Sequence, residues 1–179
     1  MKHGCACLVS LLALAGCSPS AVRPPDTVSD LRQLVTFLLH TDMRAPSFDT
    51  ELGSKIGIRL VDAMHGATPI SRADNVVLAD GTLIDSVEAT HRRGFADNVT
   101  LSLSDAPCLA PEVIIAKHEV TSVSGGSLPS PGPVGAPLPT HTFLTGARVA
   151  VIDGRKLIVG FKFWVPDGTE CVSSIVIEQ

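Results

Sequence analysis

The apolar residues that begin at position 31 are spaced as one face of a helix. Four of them lie at Leu31, Leu34, Val35 and Leu38. This spacing matches the helical period, and the polar residues between them lie off the face. We therefore predict a helix over 28–40, capped by Thr27 or Ser29. A shorter helix is expected over 46–52, with Gly53 ending it.

Beyond this point the apolar residues alternate with polar ones, which is the pattern of half-buried strands. The alternation starts at Ile56, Ile58 and Leu60. It continues over 75–78, 82–90, 99–103, 142–152, 157–165 and 171–177. Asp80-Gly81 separates the first two of these segments and favours a hairpin, because both residues tolerate positive φ. The last three segments are expected to form an antiparallel three-stranded meander.

The middle of the chain contains two further segments. Pro111 and Glu112 precede an apolar run and indicate a short helix, although a strand is the alternative for that run. Gly and Pro are frequent over 121–141, which predicts a long exposed loop. Together the elements predict an α+β fold, with the N-terminal helix packed on an antiparallel sheet of about six or seven strands. We expect one domain over 27–179.

The N-terminal residues carry a pattern of a different kind. Lys2 precedes an apolar run over 5–15, which is too short to cross a membrane and is typical of a signal peptide. The run ends in Leu14-Ala15-Gly16-Cys17, which resembles the lipobox of a bacterial lipoprotein precursor at all four positions. The resemblance covers only this N-terminal signal and carries no information about the folded domain.

The resemblance implies that residues 1–16 are a signal peptide, removed ahead of Cys17, whose thiol receives the lipid. Residues 17–26 are rich in proline and would form a tether between the lipid and the domain. Several acyl chains hold a protein durably on a membrane, so no transmembrane helix is needed. Ser18 follows the lipidated position and, by the enteric sorting rule, implies the outer membrane. We therefore expect a lipoprotein of the bacterial cell envelope that faces the periplasm.

Cys108 and Cys171 are the two cysteines that remain downstream of Cys17. An even remainder in an oxidising envelope compartment predicts one disulfide. The two residues are 63 positions apart, and closing a loop of this size contributes about 4 kcal/mol in the chain-entropy model. A reactive or metal-binding thiol is the alternative, but neither cysteine has a nearby His or Cys at ligand spacing.

The charge balance argues against a nucleic-acid partner. The chain has 18 acidic and 14 basic side chains, for a formal net charge of −4, and it contains no long basic run. The histidines downstream of the signal form no compact set of metal ligands. Glu88 and His91 lie three positions apart in a predicted strand, where they point to opposite faces. We expect neither a metal nor a cofactor.

Motifs of nucleophilic catalysis are absent from the sequence, including Gly-x-Ser-x-Gly and Ser-x-x-Lys. We therefore expect that the protein is not an enzyme. The candidate partner-binding residues are the basic pair Arg92 and Arg93, and Trp164. Phe161 and Phe163 share one strand face while Trp164 points to the other, where it anchors a partner or lies under a helix. A solvated strand end is the alternative for the two arginines.

These expectations favour a non-enzymatic protein-binding module that uses its sheet and the loop over 121–141. The layout is similar to small accessory lipoproteins of outer-membrane assembly and to lipoprotein immunity proteins that neutralise toxins. An envelope hydrolase is the first alternative, with a site assembled from some of His91, His118, Asp85 and Glu88. It requires a histidine against a carboxylate or hydroxyl inside a concave pocket. A lipid or small-ligand carrier is the second alternative.

Overall fold

The structure is a computed structural model that describes residues 27–103, 108–117, 121–129, 140–152, 154–166 and 171–179. Cys17 and the signal and tether segments lie outside the described residues. The helices of the described part are α1 (Leu31–His40), α2 (Phe48–Ile56) and α3 (Pro111–Lys117). Its strands are β1 (Val61–His65), β2 (Thr68–Val77), β3 (Leu83–Arg92), β4 (Phe95–Leu103), β5 (Thr121–Pro129), β6 (Thr140–Ile152), β7 (Arg155–Pro166) and β8 (Ser174–Glu178).

The strands form one sheet in the order β1-β2-β3-β4-β8-β7-β6-β5. Every neighbouring pair in this order is antiparallel. The predicted α+β class with an antiparallel sheet is therefore confirmed, and the described sheet has eight strands. Strand β8 lies between β4 and β7, so it joins β1–β4 to β5–β7.

Helix α1 begins three residues later than the apolar spacing suggested. The side chain of Asp30 accepts a hydrogen bond from the backbone N–H of Gln33 at 2.8 Å. Asp30 is therefore the N-cap, in place of Thr27 or Ser29. The buried residues of α1 are those of the predicted apolar face with one addition: Leu31, Leu34, Val35, Leu38 and Leu39.

Helix α2 continues through two positions where the sequence predicted other structure. Gly53 does not end it but lies inside it. A Cβ there would lie 3.0 Å from the carbonyl oxygen of Ile58, and glycine permits this close approach. The helix ends at Ile56, and Gly57 follows in a left-handed conformation with a φ of 72°. The strand expected from Ile56 to Leu60 is therefore wrong, since Ile56 lies on the buried face of α2.

Residues 121–129 form strand β5 at the edge of the sheet, so the prediction of a loop over 121–141 is wrong for this part. An edge strand needs backbone pairing on one side only, and glycine and a terminal proline are compatible with it. Gly125 allows β5 to pack closely against β6, because a Cβ there would lie 2.7 Å from the side chain of Leu144. Strand β6 begins at Thr140, and residues 130–139 lie outside the described part.

Buried side chains of α1 and α2 share one hydrophobic core with one face of the sheet. Phe161 and Phe163 point into this core and are each 1% exposed. Ile115 of α3 packs against the same core, and α3 begins at Pro111 as the sequence predicted. Among the described residues, no helix is both long enough and apolar enough to span a membrane.

The predicted disulfide between Cys108 and Cys171 is confirmed. It connects the segment ahead of α3 to the segment ahead of β8. Beside it, the backbone N–H of Val172 donates a hydrogen bond to the carbonyl oxygen of Leu109 at 2.9 Å. Leu109 and Val172 are both buried in the core, so the covalent link lies at a point where the two segments already contact each other.

Candidate functional site

Three polar side chains from separate elements meet at the rim of the core. Asp49 lies in the first turn of α2, Ser71 on β2 and His91 near the end of β3. The Ser71 hydroxyl donates to Oδ2 of Asp49 at 2.5 Å. Nε2 of His91 lies 3.0 Å from Oγ of Ser71 and 3.1 Å from Oδ2 of Asp49. We call these three residues the Ser71 cluster.

Strand register explains why two of these residues lie together. Ser71 pairs with Ala89 across β2 and β3, so His91, two residues further along, is its diagonal neighbour on the same face. Asp49 lies at the N-terminal end of α2, where the helix dipole stabilises a carboxylate. The sequence separations within the cluster are 22 and 20 residues, so no local motif could have revealed it.

The hydrogen bonds of the cluster converge on the Asp49 carboxylate. A serine hydroxyl carries one proton, and in the Ser71 cluster Asp49 accepts it. The tautomer of His91 that carries a proton on Nε2 can donate to Oγ of Ser71 or to Oδ2 of Asp49, which lie at nearly equal distances. The carboxylate is therefore placed to accept from both neighbours. Its other oxygen, Oδ1, is buried and has no hydrogen-bond partner among the described residues.

Two cavities adjoin the Ser71 cluster. One has a volume of about 510 Å³ and is lined by His91, Met64 and Asp62 among others. The other has about 590 Å³ and extends along α2 towards Gly57. Asp49, Ser71 and Asp62 line both cavities, and Oδ1 of Asp62 lies 3.5 Å from Oγ of Ser71. Ser71 itself is only 3% exposed.

The chemistry of this arrangement differs from a Ser-His-Asp relay. In a relay the carboxylate orients the histidine through Nδ1, which leaves Nε2 free to accept the serine proton. In the Ser71 cluster Asp49 contacts Nε2 instead, so Asp49 is the group placed to take the serine proton. A hydroxyl and a base within hydrogen-bond reach beside a cavity nevertheless satisfy the geometry of an activated nucleophile.

A second polar group lies at the turn between β3 and β4. Arg92, Arg93, Phe95 and Arg44 line a cavity of about 570 Å³, and we call these four residues the arginine pocket. The side chains of Arg92 and Arg93 are exposed and form no ion pair or hydrogen bond among the described residues. Sequence reasoning identified these two arginines, but Arg44 joins them from the segment after α1, which no local pattern indicates.

Trp164 is half-buried on the face of the sheet opposite the core. We call this the open face, and it carries Arg72, Glu88, Lys162 and Trp164. The Trp164 ring lies 5.9 Å from the ring of Phe143, measured between centroids. Nζ of Lys162 and Oε1 of Glu178 form an ion pair at 2.5 Å beside them.

The structure does not bring the three predicted partner-binding residues together. Strand pairing places Thr90 of β3 and Gly160 of β7 on one line across the sheet, through β4 and β8. Arg92 lies two residues from this line on β3, and Trp164 lies four residues from it on β7, in the opposite direction. The two side chains are therefore separated by about 20 Å along the strands alone. Trp164 and the arginine pair belong to two different surfaces.

Glu88 belongs to the open face and not to the Ser71 cluster. Its carboxylate contacts Nη1 of Arg72 at 3.1 Å and Nδ1 of His65 at 3.3 Å. Arg72 also donates from Nε to Asp74 at 2.7 Å, and mainly this hydrogen bond raises the pKa of Arg72 above its ordinary value. The side chains of His65, Arg72 and Asp74 are solvated, whereas that of Glu88 is 13% exposed and is engaged by His65 and Arg72. We therefore assign these groups no catalytic task.

The remaining candidates are spread over the molecule or lie outside its described part. Asp85 is exposed on β3, and His118 is not among the described residues. No group of three or more His, Cys, Asp or Glu side chains in the described ranges is placed to hold a metal ion. The chain matches no protein-family model, and no curated protein or solved structure is significantly similar to it.

Proposed function

We propose that the protein is a lipid-anchored lipoprotein of the bacterial envelope that binds a protein partner through the open face. The observation that carries this proposal is the aromatic pair of Trp164 and Phe143, which is half-buried on that face. Lipidation at Cys17 and the tether over 17–26 would hold the domain at the outer membrane, facing the periplasm.

The chemistry of the open face supports this assignment. Tryptophan is enriched among the residues that dominate binding energy at protein interfaces, and such residues are surrounded by a polar rim. Lys162 and Glu178 supply charged side chains next to Trp164. In this proposal α1 packs on the opposite face of the sheet, and a C-terminal meander of β6, β7 and β8 presents Trp164 to the partner.

Site-specific photo-crosslinking in intact cells tests the proposal. A photoreactive residue at Lys162 should capture one protein of defined mass, and Trp164→Ala in the same chain should abolish the product. A photoreactive residue at Arg59, which is exposed on another part of the molecule, is the matched control and should not capture that protein. A product that forms equally from both positions would contradict a binding role for the open face.

The Ser71 cluster favours a second candidate function, an envelope hydrolase that acts on esters or similar acyl groups. The observation behind it is a histidine placed against both a hydroxyl and a carboxylate beside two cavities. Oγ of Ser71 would bond to the acyl carbon while its proton passes to Asp49, and the leaving group would take up that proton. Water would then release the acyl group from Ser71.

A fluorophosphonate probe tests this second candidate without knowledge of the substrate. Oγ of Ser71 should form a bond to phosphorus as fluoride leaves, and mass spectrometry should locate the adduct on Ser71. Asp49→Asn should slow the labelling, whereas Ser86→Ala, at another buried serine of the sheet, should leave it unchanged. A chain that the probe does not label at Ser71 would not be a hydrolase of this type.

A further inference from the structure

We infer that the arginine pocket binds a small ligand that carries an oxyanion, a phosphate or carboxylate group, on an apolar body. The pocket is formed by Arg44, Arg92, Arg93 and Phe95. It is separate from Trp164 and from the Ser71 cluster, so the inference goes beyond the proposed function and does not depend on it.

The charge of the pocket points to an anion. Three guanidinium groups line it, and Asp97 is the one carboxylate side chain among the described residues that line it. Asp97 already accepts a hydrogen bond from the side-chain amide of Asn98 at 3.2 Å. The side chains of Arg92 and Arg93 make no polar contact within the described part of the chain. Like charges repel when they share a cavity, and an oxyanion with paired acceptors relieves this repulsion by bidentate contacts to the guanidinium groups.

The backbone at Arg93 provides an independent observation. Arg93 and Gly94 have φ values of 55° and 86°, and they form the two-residue turn between Arg92 and Phe95, which pair with each other. Such a turn favours Asn-Gly, because asparagine tolerates the left-handed conformation better than other residues with a side chain. Turn chemistry therefore does not explain an arginine at this position, whereas a role in binding does.

Hydrogen bonds of Gln179 hold the opposite wall of the pocket in place. Its side chain accepts from the backbone N–H of Met43 at 3.0 Å and donates to the carbonyl oxygen of Thr41 at 2.7 Å. Its backbone N–H donates to the carbonyl oxygen of Asp97 at 3.0 Å, and its carbonyl oxygen accepts from Arg44 at 3.3 Å. The segment that carries Arg44 is thus tied to β4 before any ligand binds, which lowers the entropy lost on binding.

The size and the apolar wall of the pocket favour a small organic ligand over a bare ion. A volume of about 570 Å³ is in the range of small-molecule sites. Phe95 is 48% exposed, so an apolar group next to the anion would remove part of its apolar surface from water. The ligand should therefore combine one oxyanion with a ring or short hydrocarbon group.

Titration calorimetry with the full chain in detergent at low ionic strength tests the inference. Phenyl phosphate should bind at one saturable site, and phenylacetate in a parallel titration shows whether phosphate or carboxylate is preferred. Benzyl alcohol, which lacks the charge, should not bind. The Arg92→Gln/Arg93→Gln double variant should weaken phenyl phosphate binding by about tenfold or more. Phe95→Ala should reduce the affinity for phenyl phosphate to that for inorganic phosphate.

Arg155→Gln is the matched control, because it removes one exposed arginine from the turn end of β7. It should leave the affinity unchanged. Asp97→Asn should strengthen binding, because it removes the negative charge that competes with the ligand. The inference is overturned if no saturable binding occurs, or if Arg155→Gln weakens binding as much as the double variant does. Unfolding midpoints of all variants show whether a loss of binding reflects a loss of fold.

Discussion

His91 and Arg92 are adjacent in the sequence and have opposite surroundings. His91 is mostly buried and contacts both Ser71 and Asp49, whereas Arg92 is exposed and has no polar partner among the described residues. Successive side chains of a strand point to opposite faces, so neighbouring positions enter different environments. The comparison separates two kinds of polar residue, those whose partners lie within the chain and those that present their charge to something outside it. The first kind should determine stability and the second kind recognition.

The largest effect on stability is expected from Asp49→Ala. The substitution removes the shared acceptor and leaves both the Ser71 hydroxyl and the His91 ring without it, so the free energy of unfolding should fall by about 2–3 kcal/mol. Urea unfolding followed by circular dichroism measures this change. Glu51→Ala removes a carboxylate of the same helix whose hydrogen bond from the Ser47 hydroxyl is exposed to water, and it should change stability by less than about 0.5 kcal/mol. Equal effects of the two substitutions would mean that the contacts of the Ser71 cluster, which include His91, do not contribute more to stability than an exposed charge does.

Ser71→Ala should have a smaller effect, a loss of about 1 kcal/mol, because it removes one neutral donor and leaves the contact between Asp49 and His91 in place. A double-mutant cycle with Asp49→Ala should show coupling of about 0.5 kcal/mol or more between the two positions. Additive effects would mean that the hydroxyl and the carboxylate contribute independently, contrary to their 2.5 Å contact.

Arg93→Asn should raise stability and lower binding at the same time. Asparagine suits the left-handed backbone at this position, where φ is 55°, so the free energy of unfolding should increase by about 0.5 kcal/mol. The same change should weaken phenyl phosphate binding, because one guanidinium group is lost. Thermal unfolding and calorimetry measure the two quantities on one sample. Arg93→Lys retains the positive charge but not the guanidinium group, so it is the control that shows how much of the binding loss is due to charge alone.

The smallest change in stability is expected for Arg92→Gln. Its side chain has no partner within the described residues, so the free energy of unfolding should stay within about 0.5 kcal/mol of the original value. A larger loss in urea unfolding would show that Arg92 supports the fold, and its contrast with His91 would then not hold.

Local patterns were sufficient to predict the elements whose signals are contained within a few residues. The apolar face of α1 and the Asp80-Gly81 hairpin are of this kind, although in the turn only Gly81 has a positive φ, 89°, and Asp80 does not. Helix α3 and its Pro111 belong to the same group. In each case neighbouring residues favour the observed backbone conformation, and tertiary contacts did not override the expectation.

Contacts between distant segments account for what the sequence did not reveal. Gly53 lies where the chain passes close beside α2 at Ile58, so its role is close packing and not helix termination. Strand β5 forms because β6 offers a backbone edge to pair with. The Ser71 cluster depends on the register of β2 and β3 together with the placement of α2. None of these conditions is visible in a window of ten or twenty residues, so pattern and propensity could not predict them.

The central position of β8 determines the order in which the sheet can be completed. Strands β1–β4 can pair successively, and β6 can pair with β7, but these two groups have no shared edge until residues 174–178 pair between β4 and β7. Closure of the sheet therefore depends on contacts distant in sequence, which form slowly. Until β8 is in place, each group of strands exposes an unpaired edge, and this one short strand covers both edges.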